Sequence, residues 1–130
     1  MAAKKFSIGW KASKRPSKQR KYRMNAPLHV KRKFLSTNLS KPLRRKYLRR
    51  NFYVRKGDTV KVLRGKFKGR TSKISSLDMH KLRVFLEGVQ VSKRDGTKAN
   101  VHFDPSNLQI TDLALEDKKR IRSLERKLKK

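Results

Sequence analysis

Gly57-Asp58-Thr59-Val60-Lys61-Val62-Leu63-Arg64-Gly65-Lys66-Phe67-Lys68-Gly69-Arg70 reads as a strand running into a loop. Val60 and Val62 alternate with Thr59 and Lys61, the two-residue period of a strand with one face in a core. Gly57-Asp58 marks the turn before it. Past Leu63 the alternation stops, and two glycines punctuate the cations Arg64, Lys66, Lys68 and Arg70. Glycines let a backbone come close to a phosphate while the cations neutralise it, so the loop is a candidate anion-binding element. Phe67 is read as packing beneath the loop rather than as a platform for a base, because a lone aromatic is more often core.

Toward the C-terminus the same alternation recurs in Lys73 to Leu77, in Leu82, Val84 and Leu86, and in Val89 and Val91. Asp95-Gly96, between Val91 and Val101, reads as a hairpin tip, since glycine tolerates the positive φ that such turns demand. Leu108 and Ile110 supply a last strand. Some five short strands between Asp58 and Leu113 are better satisfied by a small closed barrel than by an open sheet with bare edges. Leu115, Ile121, Leu124 and Leu128 then return to helical spacing, with Glu116 and Asp117 at the start and Lys127, Lys129 and Lys130 at the end, both complementing the helix dipole. So short an apolar stripe favours docking on the barrel or on a polyanion over lying on a membrane.

Toward the N-terminus the chemistry changes. The first 57 residues hold 20 Lys or Arg and no Asp or Glu, whereas all 9 acids follow from Asp58 onward. From Lys4 to Arg23 the cations mix with Ser, Gly and Gln without a helical or strand period, the pattern of an extended arm without its own core. Asn25-Ala26-Pro27 reads as a helix start, with the helix continuing to about Leu35. Leu39-Ser40 with Pro42 repeats that signal, and Leu43 with Tyr47 lines one face of the second helix. The faces not occupied by Val30, Phe34, Leu43 and Tyr47 are almost wholly basic. The expected organisation is therefore a basic extended arm over 1–24, short basic helices over 25–51, a mainly β barrel over 52–113 and a C-terminal amphipathic helix over 114–130.

A formal charge of +30 on 130 residues makes contact with phosphate strongly favourable through counterion release, and nucleic acid is the expected partner. With no acid across the basic segment, local ion pairing is excluded for its charge runs. The candidate phosphate contacts are Lys11, Lys14, Arg15, Lys18, Arg20, Lys21 and Arg23 in the arm; Lys31, Arg32, Lys33, Arg44, Arg45, Arg49 and Arg50 in the helices; and Arg64, Gly65, Lys66, Lys68, Gly69 and Arg70 in the loop. Trp10 and Tyr22, set among cations, are candidates for base stacking, with burial against the barrel the competing reading. A hydrophobic content of 35% allows one modest core.

Other chemistry finds little footing. The absence of cysteine excludes disulfides and thiolate zinc sites. His29, His80 and His102 have no ligand spacing, so neither a metal nor a cofactor is expected. Gly65 to Thr71 has its glycines one residue too close for a nucleotide-hydrolysing loop, with Arg70 where Lys is needed. Asp78 with His80, and Asp104 with Ser106, lack any motif that would make them catalytic. Met1 to Trp10 offers no signal-peptide core and no run reaches transmembrane length, so a soluble intracellular protein is expected.

The stretch from Gly57 to Arg70 resembles the KOW motif, a strand-loop-strand element of SH3-like barrels in ribosomal proteins and transcription elongation factors. Around it, Asn25-Ala26-Pro27, Leu39-Ser40, Leu43-Arg44, Tyr47, Gly88-Val89, Asp95-Gly96-Thr97 and Pro105-Ser106-Asn107 resemble the archaeal and eukaryotic branch of universal protein twenty-four of the large ribosomal subunit, called twenty-six in eukaryotes. The resemblance spans roughly residues 17–126. It departs from the pattern at Ser72, where a glycine is usual, at Asp104 in place of a histidine, and at Pro42 in place of a Glu. A left-handed backbone at Ser72 would be strained. The resemblance implies an SH3-like barrel and a non-catalytic cytoplasmic protein of the large subunit. It further implies binding to the 5′ region of large-subunit rRNA among neighbouring ribosomal proteins, near the nascent-chain tunnel exit and early in assembly. A KOW-type elongation factor is the alternative, and a histone-like DNA compaction protein would match the charge but not the barrel.

Overall fold

The computed structural model describes residues 5–126 and 128. At its centre lies the decisive strand, here β3 (Thr59–Val62), whose Val60 and Val62 are completely buried while Lys61 faces solvent. It pairs antiparallel with β4 (Thr71–Asp78), Val60 opposite Ser72, and with β7 (Leu108–Asp112), Val62 opposite Leu108. Beyond β4 come β5 (Arg83–Ser92) and β6 (Lys98–Phe103), joined by the Asp95-Gly96 turn; Gly96 has φ 80 and the Lys93 amide donates to the Thr97 carbonyl.

Leu82 to Leu86 and Val89 to Val91 are expected as separate strands; Leu82 falls in the turn before β5, and the rest form that single strand. Its register against β6 jumps from Phe85 opposite His102 to Gln90 opposite Asn100. The extra residues form a bulge in which Leu86 and Val89 are both buried, and a bulge shifts the phase of a period-two pattern. That phase shift is what splits the strand in the sequence.

Two further strands lie in the region expected to hold only helices. β1 (Ser36–Leu39) pairs parallel with β7, Leu39 opposite Ile110, and antiparallel with β2 (Asn51–Tyr53), Thr37 opposite Phe52. The sheet order is β2-β1-β7-β3-β4-β5-β6, so among the described residues no hydrogen-bonded ladder closes the barrel. It curls nonetheless, since Phe52 of the β2 edge and Phe103 of the β6 edge join one core with Leu39, Val60, Ile74, Val84, Leu108 and Ile110. This open, barrel-like, mainly β sheet is the small SH3-like fold. The exposed edges are blunted by the three-residue length of β2 and by Lys98 on β6.

Helices flank the sheet. α1 (Pro16–Asn25) occupies most of the segment expected to be extended, preceded by a 3-10 turn at Ile8–Ala12. The turn is stapled to α1 by Gln19, whose Nε2 lies 3.1, 3.1 and 2.7 Å from the carbonyl oxygens of Trp10, Lys11 and Ser13. Tyr22 supplies the missing core, buried between Phe6 (centroids 5.4 Å apart, stacked) and Phe34 (5.6 Å, edge-on). Asn25 therefore ends α1 instead of capping the next helix, and its Nδ2 donates to the Lys5 carbonyl at 2.9 Å. α2 (Leu28–Phe34) starts after Pro27; α3 (Lys41–Tyr47) starts after Ser40 with Pro42 in its first turn, and buries Tyr47 as its spacing requires.

α4 (Lys118–Glu125) begins later than residue 114, capped by Asp117, whose carboxylate accepts from the Lys119 amide at 2.8 Å. Leu124 is fully buried against the core, whereas Leu115 and Leu128 are exposed. Lys127, Lys129 and Lys130 lie outside the described residues.

Candidate nucleic-acid interface

The loop after β3 is built as a rigid presenter of cations. Gly65 and Gly69 adopt φ 90 and 86, angles that side chains with a Cβ rarely accept. Amides of Gly69 and Lys68 donate to the carbonyls of Val62 (2.8 Å) and Gly65 (3.1 Å), closing the turn on itself. Phe67 packs against the core, edge-on to Phe103 at 6.1 Å, which agrees with its reading as an anchor. Arg64, Lys66, Lys68 and Arg70 are left exposed around this anchor. Arg70 also donates to the Gly88 carbonyl at 2.7 Å, which ties the loop to the β5 bulge. Ser72 has no left-handed backbone: it lies within β4, and its hydroxyl donates to the Glu87 carbonyl at 2.5 Å.

In the basic headpiece the structure sorts the candidates. Lys11, Lys14, Arg15, Arg20, Lys21, Arg23, Arg32, Lys33, Arg45 and Arg50 are exposed. Lys18 is half-buried, with Nζ 4.8 Å from the centre of the Trp10 ring. Arg32 lies over Tyr53, its Cζ 4.0 Å from the ring centre, within cation–π reach. Arg44 donates from Nε to the Leu39 carbonyl (2.7 Å), and Arg49 from Nη2 to the Ser123 carbonyl (2.6 Å). These two serve the fold as well as carrying charge.

Two candidates are buried, unlike their neighbours. Lys31, with 6% relative exposure, faces inward on α2 because its position aligns with the buried Leu35 one turn on. Tyr22 has no open ring face for a base, since Phe6 covers one side and Phe34 abuts it. Trp10, half-buried beside Lys18, remains partly accessible.

The arrangement least visible in the sequence is a buried ion pair. Asp58 and Arg120 both have side chains at 0% exposure, joined fork to fork by Nη1 to Oδ1 at 2.7 Å and Nη2 to Oδ2 at 2.6 Å. Amides of Arg55 and Ala114 donate to the same carboxylate at 2.8 and 2.9 Å, and Arg120 donates further to the carbonyls of Ala114 and Tyr53. Bidentate geometry with most of the remaining lone pairs and protons engaged is what makes a buried pair tolerable. Gly57-Asp58 gives the turn signal alone; no local pattern points to a partner 62 residues away.

Nearby, Arg55 reaches Asp117 at 2.7 Å, so one cation of the acid-free segment is paired after all, through tertiary folding. The Lys119 amide and then Arg55 hold the Asp117 carboxyl below its ordinary range. The Asp78 carboxyl is lowered chiefly by the Lys81 amide, and that of Asp95 by the Thr97 hydroxyl. Among the described residues, no group of three or more His, Asp or Glu is placed to hold a metal ion. Nor is any helix of the described residues long and apolar enough to cross a membrane.

Fold and surface thus define a small SH3-like β module carrying a polycationic helical headpiece, with the Asp58–Arg120 pair consumed by structure. The family model for the L26 ribosomal proteins of eukaryotes and their archaeal L24 counterparts matches residues 13–127, and the chain belongs to that ribosomal protein family. Similar relatives are named "Large ribosomal subunit protein uL24". The one from Methanoculleus marisnigri is 53% identical over 108 residues, covering 83% of this chain and 89% of its own. That from Methanospirillum hungatei is 48% identical over 112 residues (86% and 93%), and that from Methanosphaera stadtmanae 41% over 116 residues (89% and 99%). As a ribosomal protein the chain is a structural, non-enzymatic component of the cytoplasmic ribosome.

Proposed function

We propose that this chain is a structural constituent of the large ribosomal subunit that binds and stabilises large-subunit rRNA. The observation that carries this reading is the uncompensated charge of the headpiece: from Lys5 to Gly57, Arg55 alone forms an ion pair among the described residues. Helices α1 to α3 and the loop after β3 hold their cations on rigid elements, so RNA contact costs less ordering than a flexible arm would require. Double-helical RNA hides its base edges in a deep groove, and recognition runs mainly through phosphate and shape. Membership in the ribosomal family and the names of its relatives support the large subunit as the site of action. Engagement early in assembly, near the nascent-chain tunnel exit, extends the same reading. The elongation-factor alternative draws no support from the family match.

The test is binding of the full chain to large-subunit rRNA across a salt series. Joint substitution Lys33→Glu, Arg45→Glu and Arg50→Glu, all exposed positions, should reduce the slope of log affinity against log salt by about two to three, near one per lost phosphate contact. A slope equal to the wild type's would remove the headpiece from the interface.

A further inference from the structure

Between α1 and the sheet lies a half-open cleft of about 680 Å³. Its lining comes from α1 (Arg20, Arg23 and Met24), from the β4–β5 turn (Lys81 and Leu82) and from the 3-10 turn at Pro105–Asn107, with Asp104 at its start. The volume falls in the range of cavities that take small ligands.

Three features make the cleft more than a gap between elements. First, it gathers cations from segments some sixty residues apart, a juxtaposition that only the docking of α1 through Tyr22 produces. Second, its apolar wall is unusual: Met24 is 76% exposed, and Leu82 is held at φ 56, a backbone region rarely adopted by residues with a Cβ. Asp78 stabilises that turn, its Oδ1 accepting from the amides of His80 and Lys81 at 2.9 Å each. Third, the Asp104 carboxylate has no hydrogen-bond or ion-pair partner among the described residues, although it lies in a cleft with three cations. A carboxylate there opposes a purely anionic ligand. It suits a ligand with a phosphate at one end and a hydrogen-bond donor at the other.

We propose that this cleft takes a single unpaired ribonucleotide splayed from the rRNA. Its phosphate lies against Arg20, Arg23 and Lys81, its base rests on Met24 and Leu82, and an exocyclic amine donates to Asp104. This rests on the rRNA-binding reading and adds to it one position of base readout, in a protein otherwise reading phosphate and shape. Adenine, cytosine and guanine carry the amine, whereas uracil offers only its ring N3–H, so an exocyclic donor to Asp104 favours the three amine-bearing bases. Extruded bases held against side chains are a general route to sequence-specific contact in RNA.

The test places the photo-crosslinker p-benzoylphenylalanine at Met24, or separately at Lys66 in the loop after β3, in the full chain bound to large-subunit rRNA. Crosslinks are mapped by reverse-transcription stops. The Met24 probe should mark one unpaired adenine, cytosine or guanine. Asp104→Ala, at an exposed position, should weaken rRNA binding roughly tenfold, as loss of a charged acceptor does, even though it removes a negative charge facing RNA. Tighter binding by Asp104→Ala would overturn the proposal, as would Met24 crosslinks to paired nucleotides, to uracil or to a protein. If the Lys66 probe still marks rRNA in those cases, the rRNA-binding reading stands and the cleft proposal alone fails. Absence of crosslinks from both probes would overturn both.

Discussion

Asp58 and Arg120 face each other at 0% exposure inside the β module, each proton and lone pair engaged but one, whereas α1 to α3 turn most of their Lys and Arg outward with almost no carboxylate in reach. One region neutralises a charge within the fold; the other leaves neutralisation to something else. The difference is legible in energetics as well as geometry. A buried pair resists removal of either partner because the other would remain uncompensated in a low dielectric, while an exposed cation is replaceable at little cost to folding. Stability and binding are therefore expected to respond to different sets of cations in the same 130-residue chain.

The largest effect should come from breaking the interior pair. Arg120→Met is expected to destabilise the module by about 3–5 kcal/mol in denaturant unfolding, with Asp58→Leu/Arg120→Met together recovering part of the loss. A loss below about 1 kcal/mol for the single variant would place the pair among weak surface contacts and erase the contrast between the regions. Next in size is the joint between them. Tyr22→Ala should release α1 from Phe34 and forfeit about 2 kcal/mol of local docking energy, roughly thirtyfold in opening. Trypsin cleavage within the first 23 residues, compared with loss of the intact β module, reads that opening; equal rates in variant and wild type would show that the headpiece is not docked through this ring. Smallest is the half-exposed Asp117 cap. Its carboxyl is depressed, so the folded state holds fewer protons there, and the stabilisation is present above the ordinary carboxylate pKa of about 4 and lost as pH falls through the depressed folded value. Wild type should hold an advantage over Asp117→Asn at pH 5 that shrinks toward pH 2; an advantage independent of pH would assign the cap to hydrogen bonding alone.

Much of the β module is readable from local pattern. β3, β4, β6 and β7 follow from period-two alternation and from the Asp95-Gly96 turn, because each buries one face on a single core. β1 and β2 escape for a physical reason. Ser36–Leu39 and Asn51–Tyr53 are too short to show a period, and β1 owes part of its pairing to a parallel neighbour, β7, that arrives some seventy residues later. α1 escapes because Tyr22 is the one aromatic that buries it, and its partners Phe6 and Phe34 lie outside the helix. At the candidate interface, composition identifies the cations but not their facing. Lys31 and Arg32 are adjacent in sequence, yet one is buried and the other stacks on Tyr53. Lys81 carries no local signal of its own, because only the fold brings it beside Arg20 and Arg23.

The Asp58–Arg120 fork has a consequence for the order of events during synthesis. Translation delivers the headpiece before the carboxylate, and the guanidinium partner 62 residues later still. Until that arginine leaves the peptidyl tunnel, Asp58 has backbone donors but no counter-charge, so the final lock on the module closes after the cationic helices have already emerged. A chain of this design offers its charge to the surroundings before its own interior is sealed.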